Sequence, residues 1–152
     1  RTGEDPAVLA VSYRLCGTPQ LRLRLAKFWL TMKATRYPDI TLPEAICFSL
    51  LEARQIEFVF QQDYNSGKTY RGGAVIDFWI PTQALVIRVQ GTYWHAQPER
   101  RQLDEIQRSE LLRSSIEGKR VQAVVDLWES KLLSCMRAEA VNAALQGQEL
   151  GQ

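Results

Sequence analysis

Two apolar segments, 74–80 and 84–90, are separated only by Pro81-Thr82-Gln83, and the first carries a lone carboxylate at its centre: Val75-Ile76-Asp77-Phe78-Trp79-Ile80. A charge inside an otherwise apolar strand is costly unless it is paired or binds a metal. The short link predicts that the two segments are antiparallel neighbours. The second, Leu85-Val86-Ile87-Arg88-Val89-Gln90, runs into Gly91, then Tyr93, Trp94 and His95, the chain's single histidine. That places His95 close to Asp77. Side chains alternate along a strand, so Arg88 and Gln90 share a face. That face is expected to look toward Asp77 and the start of the helix at Glu44, with His95 at the rim. A salt bridge from Arg88 to Asp77 across the two strands is the structural alternative to a metal at Asp77.

Around this pair the chain reads as alternating helices and strands. Residues 1–17 look irregular. Thr18-Pro19 opens a helix, Thr as N-cap and Pro at the first position, with Leu21, Leu25, Phe28, Trp29 and Met32 on one stripe and Leu23 and Leu30 on the opposite face. Thr41-Leu42-Pro43-Glu44 is a capping-box pattern that starts a second helix, ending near residue 54. A strand is predicted over 56–61. A helix over 99–117 is expected to turn Leu103, Ile106, Leu111 and Leu112 inward and to stop at Gly118. A short strand over 121–125 and a last helix over 130–145 complete the order. Helices and strands mixed in this way imply an α/β architecture, a mixed sheet flanked by helices.

At 152 residues the chain has the length of about one domain and can bury a core without cross-links. Cys16, Cys47 and Cys135 are odd in number and far apart, which argues against a disulfide framework and for a reducing compartment. One histidine and no Cys-x-x-Cys pair make a structural zinc site unexpected. No apolar run spans a bilayer and no secretory signal is visible. The expectation is an intracellular, cytoplasmic protein without membrane contact, free or within a virion or other larger assembly; the start at Arg1 rather than Met also fits a trimmed or processed chain. The net charge of +2 is unevenly spread. Residues 1–36 hold seven Lys/Arg against Glu4 and Asp5; the remainder holds twelve basic against fifteen acidic residues. A basic end suggests a polyanionic partner, and a solvated helix is the plain alternative.

With these residues in order, the chain resembles the very-short-patch repair endonucleases and related small nucleases of the PD-(D/E)xK restriction-endonuclease-like superfamily. The resemblance runs from about residue 41 to 129: Pro43-Glu44 opening a helix, Asp77-Phe78 in a strand, an apolar strand ending in Gly91 with Tyr93-Trp94-His95, Asp104, Arg108 and Leu111 on a helix, Gly118, an apolar strand, and Trp128-Glu129. It implies a restriction-endonuclease-like domain over 41–152, with 1–40 as an N-terminal extension carrying a basic amphipathic helix. It further implies a Mg²⁺-dependent DNA endonuclease or nickase that hydrolyses phosphodiester bonds. Asp77 would be the metal ligand with the Val89 carbonyl beside it, Glu44 a supporting carboxylate, and His95 a general base or phosphate contact. Tyr93 and Trp94 would meet bases. Arg100, Arg101 and Arg108 are candidate contacts to the DNA backbone, with ordinary surface the alternative for Arg100 and Arg101.

The chain departs from the superfamily pattern at its second strand, where the usual Glu-x-Lys reads Arg88-Val89-Gln90. The departure supports an alternative: a nuclease fold without catalysis, serving as a DNA-binding or assembly subunit, with the helix 19–36 as its dock for a protein partner. Under the catalytic reading, Arg88→Glu would restore an acidic ligand and maintain or raise activity. For Asp104 and Arg108, one helical turn apart, an i,i+4 ion pair is the plain reading.

Overall fold

The computed structural model describes residues 3–63, 75–91 and 98–152. Its centre is a four-stranded mixed sheet in the order β1-β2-β3-β6. β1 (Val59–Asp63), β2 (Val75–Ile80) and β3 (Leu85–Gln90) are successive antiparallel neighbours, and β6 (Ala123–Trp128) adds to β3 in parallel. The link between β2 and β3 is a 3-10 turn, Pro81–Gln83, closed by Ala84 at φ 49°. The antiparallel pair and the mixed α/β architecture expected from the sequence are both present.

Helices cover the two faces unequally. On one face, α2 (Pro19–Thr35), α3 (Leu42–Ala53), α5 (Glu129–Leu133) and α6 (Arg137–Leu145) bury a large core with Phe78, Ile80, Leu85, Ile87, Val125 and Leu127 of the sheet. α1 (Pro6–Ser12) packs against α2. The segment 1–17, expected to be irregular, therefore contains a helix, capped by the Asp5 carboxylate accepting from the Ala7 N–H at 2.8 Å. On the other face lies a smaller core of Ile76, Trp79, Val86, Val124, Leu111, Ile116 and Val121, under α4 (Pro98–Leu112) and the hairpin β4 (Ser115–Ile116) to β5 (Lys119–Arg120). Leu15, Leu25 and Met32 belong to the large core, so the boundary at residue 40 does not divide the hydrophobic interior.

Local signals account for the helix starts. Thr18 Oγ1 accepts from the Leu21 N–H at 3.2 Å. At α3 the capping box is complete: Thr41 Oγ1 accepts from the Glu44 N–H at 3.3 Å, and Glu44 Oε1 accepts from the Thr41 N–H at 2.9 Å.

Several boundaries differ from expectation. The helix over 99–117 stops at Leu112, because Glu117 and Gly118, at φ 50° and 84°, form the tight turn of the β4–β5 hairpin. Leu103, Ile106 and Leu112, expected inward, are 42%, 58% and 38% exposed, whereas Leu111 is buried; α4 reaches the smaller core chiefly through its C-terminal turn. The helix over 130–145 is broken between Leu133 and Arg137. In that break Cys135 forms a disulfide with Cys16, their Cα atoms 5.2 Å apart. The spacing argument against disulfides fails here because 119 residues of sequence separation say nothing about distance in the fold, and the case for a reducing compartment loses that support. Among the described residues no helix is long and apolar enough to cross a membrane.

A candidate carboxylate site

Asp77 and Glu44 come together. Their carboxyl groups hydrogen-bond to each other, and Asp77 Oδ2 also accepts from the Val89 N–H at 2.7 Å. Glu44 thus caps α3 with one oxygen and meets Asp77 as well.

A break in β2 produces this meeting. Phe78 and Ile80 belong to the large core, so strict alternation would turn Asp77 and Trp79 together to the other face. Instead Ile76 and Trp79, three apart, share the smaller core. The β1–β2 ladder pairs Phe60 with Phe78 and Gln62 with Ile76 but skips Gln61 opposite Asp77, and Gln61 has φ 59°. The β2–β3 ladder runs from Ile80–Leu85 to Phe78–Ile87, and beyond it the Asp77 carboxylate takes up the Val89 N–H. The local distortion swings Asp77 to the α3 side of the sheet.

Arg88 stays on the α4 side. It grips Asp126, its partner in the β3–β6 register, with Nε to Oδ1 at 2.8 Å and Nη2 to Oδ2 at 3.1 Å, and Nη1 donates to the Asp104 carbonyl at 3.1 Å. Gln90 Nε2 donates to Asp126 Oδ1 at 3.3 Å. The face shared by Arg88 and Gln90 therefore does not look toward Asp77 and Glu44, and the Asp77–Arg88 salt bridge gives way to a buried Arg88–Asp126 pair. Arg108 joins the same network, 3.5 Å from Asp126 and 3.1 Å from Glu149, whose carboxylate also accepts from the Asp126 N–H at 3.0 Å. That holds Arg108 in a structural ion cluster rather than an i,i+4 pair with Asp104 or an open phosphate contact. Arg100 and Arg101 are exposed on α4. Tyr93, Trp94 and His95 lie outside the described residues.

The electrostatics of the pair are unusual. Desolvation raises the Asp77 carboxyl well above the ordinary carboxylate range, and the neighbouring Glu44 charge raises it further; the Val89 N–H and then the Arg88 charge pull it back. Burial beside a second carboxyl group therefore favours the protonated form of Asp77. Cys47, one turn along α3, is fully buried, and burial together with the Asp77 and Glu44 charges pushes its thiol pKa up, leaving it inert as a nucleophile.

Glu44, Val89, Gln90 and Gly91 line a cleft of about 630 Å³, walled on its other side by Arg14, Trp29, Lys33, the segment 38–43 and Glu129. Arg14 and Lys33 were visible only as part of a basic N-terminal excess, and Trp29 only as one residue of a helical stripe. Asp126 carried the same signal as Asp77, a carboxylate within an apolar strand, and its role is structural. Among the described residues no group of three or more His, Cys, Asp or Glu side chains gathers as a metal cage. No family model, curated protein or solved structure matches the chain.

Proposed function

We propose that the protein is a Mg²⁺-dependent DNA endonuclease or nickase of the PD-(D/E)xK restriction-endonuclease-like kind, with Asp77 and Glu44 at its centre. The observation that carries this reading is the meeting of two carboxyl groups from different elements, Asp77 held by the Val89 N–H and Glu44 held by its capping bond in the wall of a cleft. A hard divalent cation suits such a pair. The donor set suits Mg²⁺, which takes one or two carboxylates and completes its shell with water and substrate phosphate. Asp77 and Glu44 would hold the ion. The Val89 carbonyl points to the same side of β3 as its N–H, toward Asp77, and would complete the protein's share. The ion would supply charge stabilisation at the phosphate and an activated water. The Val89 N–H fixes the orientation of the Asp77 carboxylate, and the capping bond to Thr41 fixes that of Glu44. Because Arg88 is engaged with Asp126, its guanidinium does not fill the place of the ion.

Plasmid nicking with Mg²⁺ or Mn²⁺ tests the reading. Wild type should convert supercoiled to nicked DNA, and Asp77→Ala should abolish this without unfolding the protein. A wild-type protein inert with every divalent ion overturns it. The second reading, a nuclease fold serving as a DNA-binding or assembly subunit, draws on the commitment of Arg88 and Gln90 to Asp126, which leaves β3 with no acidic side chain to add to Asp77 and Glu44. It is favoured if the protein binds DNA or docks a partner through α2 and cuts nothing.

A further inference from the structure

The N-terminal segment, which lies outside the nuclease resemblance, builds one wall of the cleft. We infer that Arg14 and Lys33 are the phosphate-binding residues of this cleft, holding the nucleic-acid strand whose scissile bond reaches Glu44 and Asp77. This rests on the endonuclease reading.

Of the six described basic residues in 3–36, only Arg14 and Lys33 line the cleft. Both are presented rather than consumed. Lys33 is exposed, its ammonium 5.4 Å from the ring centre of Trp29. Trp29 is fixed in turn, because its Nε1–H donates to the Ile40 carbonyl at 2.8 Å. The ring beneath Lys33 is thus held in place by a hydrogen bond. Arg14 has a half-exposed side chain whose ion pair with Glu129 is long, 3.7 Å. A partly exposed pair of that length is weak, and a phosphate can take its place.

The segment that carries Arg14 is anchored three ways just after it. Cys16 is cross-linked to Cys135, its N–H donates to the Leu133 carbonyl at 3.0 Å, and its carbonyl accepts from Arg137 Nη2 at 2.7 Å. A guanidinium on an anchored segment can recognise phosphate with little ordering cost. Charge also sets a condition. Asp39, Glu44 and Glu129 line the same cleft, so its acids outnumber its bases. A polyanion therefore enters best once a divalent ion has offset the carboxylates.

The test is binding of a labelled duplex oligonucleotide, followed by fluorescence anisotropy across a salt series. Ca²⁺ replaces Mg²⁺ so that cleavage does not interfere, and EDTA gives the metal-free arm. Wild type should bind more tightly with Ca²⁺ than with EDTA. Arg14→Glu and Lys33→Glu should each weaken binding about tenfold or more and lower the salt slope by about one, while Arg14→Lys keeps most of the affinity. Arg24→Glu, exposed on α2 but not lining the cleft, should change little. Thermal melts check that each variant is folded. Wild-type affinity in both reversals, or an equal loss in Arg24→Glu, overturns the inference; if wild type still nicks plasmid, the endonuclease reading survives that result. A wild type that neither binds nor cuts DNA overturns both.

Discussion

The raised Asp77 carboxyl, buried against Glu44, has consequences at the scale of single residues. An acid whose folded-state pKa lies above its unfolded value binds more protons when folded, so stability falls as pH rises from the ordinary carboxylate range through the raised value. Asp77 is in that position. Asp77→Asn, neutral at every pH, should flatten this slope and raise the melting temperature at neutral and alkaline pH, by about 2–4 °C per kcal/mol gained in a chain of this size. Thermal melts across pH measure it; equal slopes for both proteins would show that the fold does not raise the Asp77 carboxyl. Divalent-dependent cleavage should rise with pH over the same window, since the ion must displace the Asp77 proton. At Arg88 the structure reverses an expectation. Arg88→Glu would set a second carboxylate against buried Asp126. It should cost about 3–5 kcal/mol of stability rather than improve activity. The charge swap Arg88→Asp with Asp126→Arg should recover part of that loss. Urea midpoints for the single and double variants decide it.

At the scale of elements, the decisive feature is the irregular stretch where β1 and β2 fail to pair. Gln61, at φ 59°, sits opposite Asp77 in the gap of the ladder. A non-glycine residue held in the left-handed region carries roughly 1–2 kcal/mol of strain. Gln61→Gly should therefore be neutral or stabilising by up to about 1 kcal/mol. Gln61→Val, β-branched and suited to regular pairing, should destabilise by about 1–2 kcal/mol and draw Asp77 away from Glu44. Chemical denaturation gives the first number and metal-dependent nicking reports the second. A valine variant with wild-type stability and activity would show that the break does not position Asp77. α3 is the complementary element: its capping box sets both the start of the helix and the orientation of Glu44.

At the scale of the whole molecule, the two ends of the chain close over one core. The Cys16–Cys135 bridge joins the α1–α2 connection to the α5–α6 break, and Arg137 ties the same places by donating to the Leu132, Leu133 and Cys16 carbonyls. A link across 119 residues restrains the unfolded chain strongly. Its removal by Cys16→Ser with Cys135→Ser should cost about 2–5 kcal/mol. Denaturation of oxidised, reduced and doubly substituted protein should show the last two alike and both less stable than the first. Identical midpoints for all three would mean that the bridge adds nothing. Glu149 performs a related task without a covalent bond, joining the C-terminal segment to Arg108 and to the Asp126 N–H of β6.

The sequence by itself determined the features that depend on neighbours along the chain. Thr18-Pro19 and Thr41-Pro43-Glu44 specified two helix starts through capping chemistry. The apolar runs around Pro81-Thr82-Gln83 specified an antiparallel pair, and Asp77 stood out as a charge needing a partner. Tertiary structure alone decided which partner it found. Strict alternation sets Asp77 beside Arg88, and only the break opposite Gln61 turns it to Glu44, 33 positions earlier in the chain. The same limit hid the Arg88–Asp126 pair, which arises when β6 docks in parallel on β3, and the disulfide, whose cysteines meet only after the ends have packed. It also hid the cleft wall of Arg14, Trp29 and Lys33. Periodicity and capping are properties of a few adjacent residues, whereas these contacts depend on how distant elements cross, and a strand's alternation is reliable only while its ladder stays unbroken.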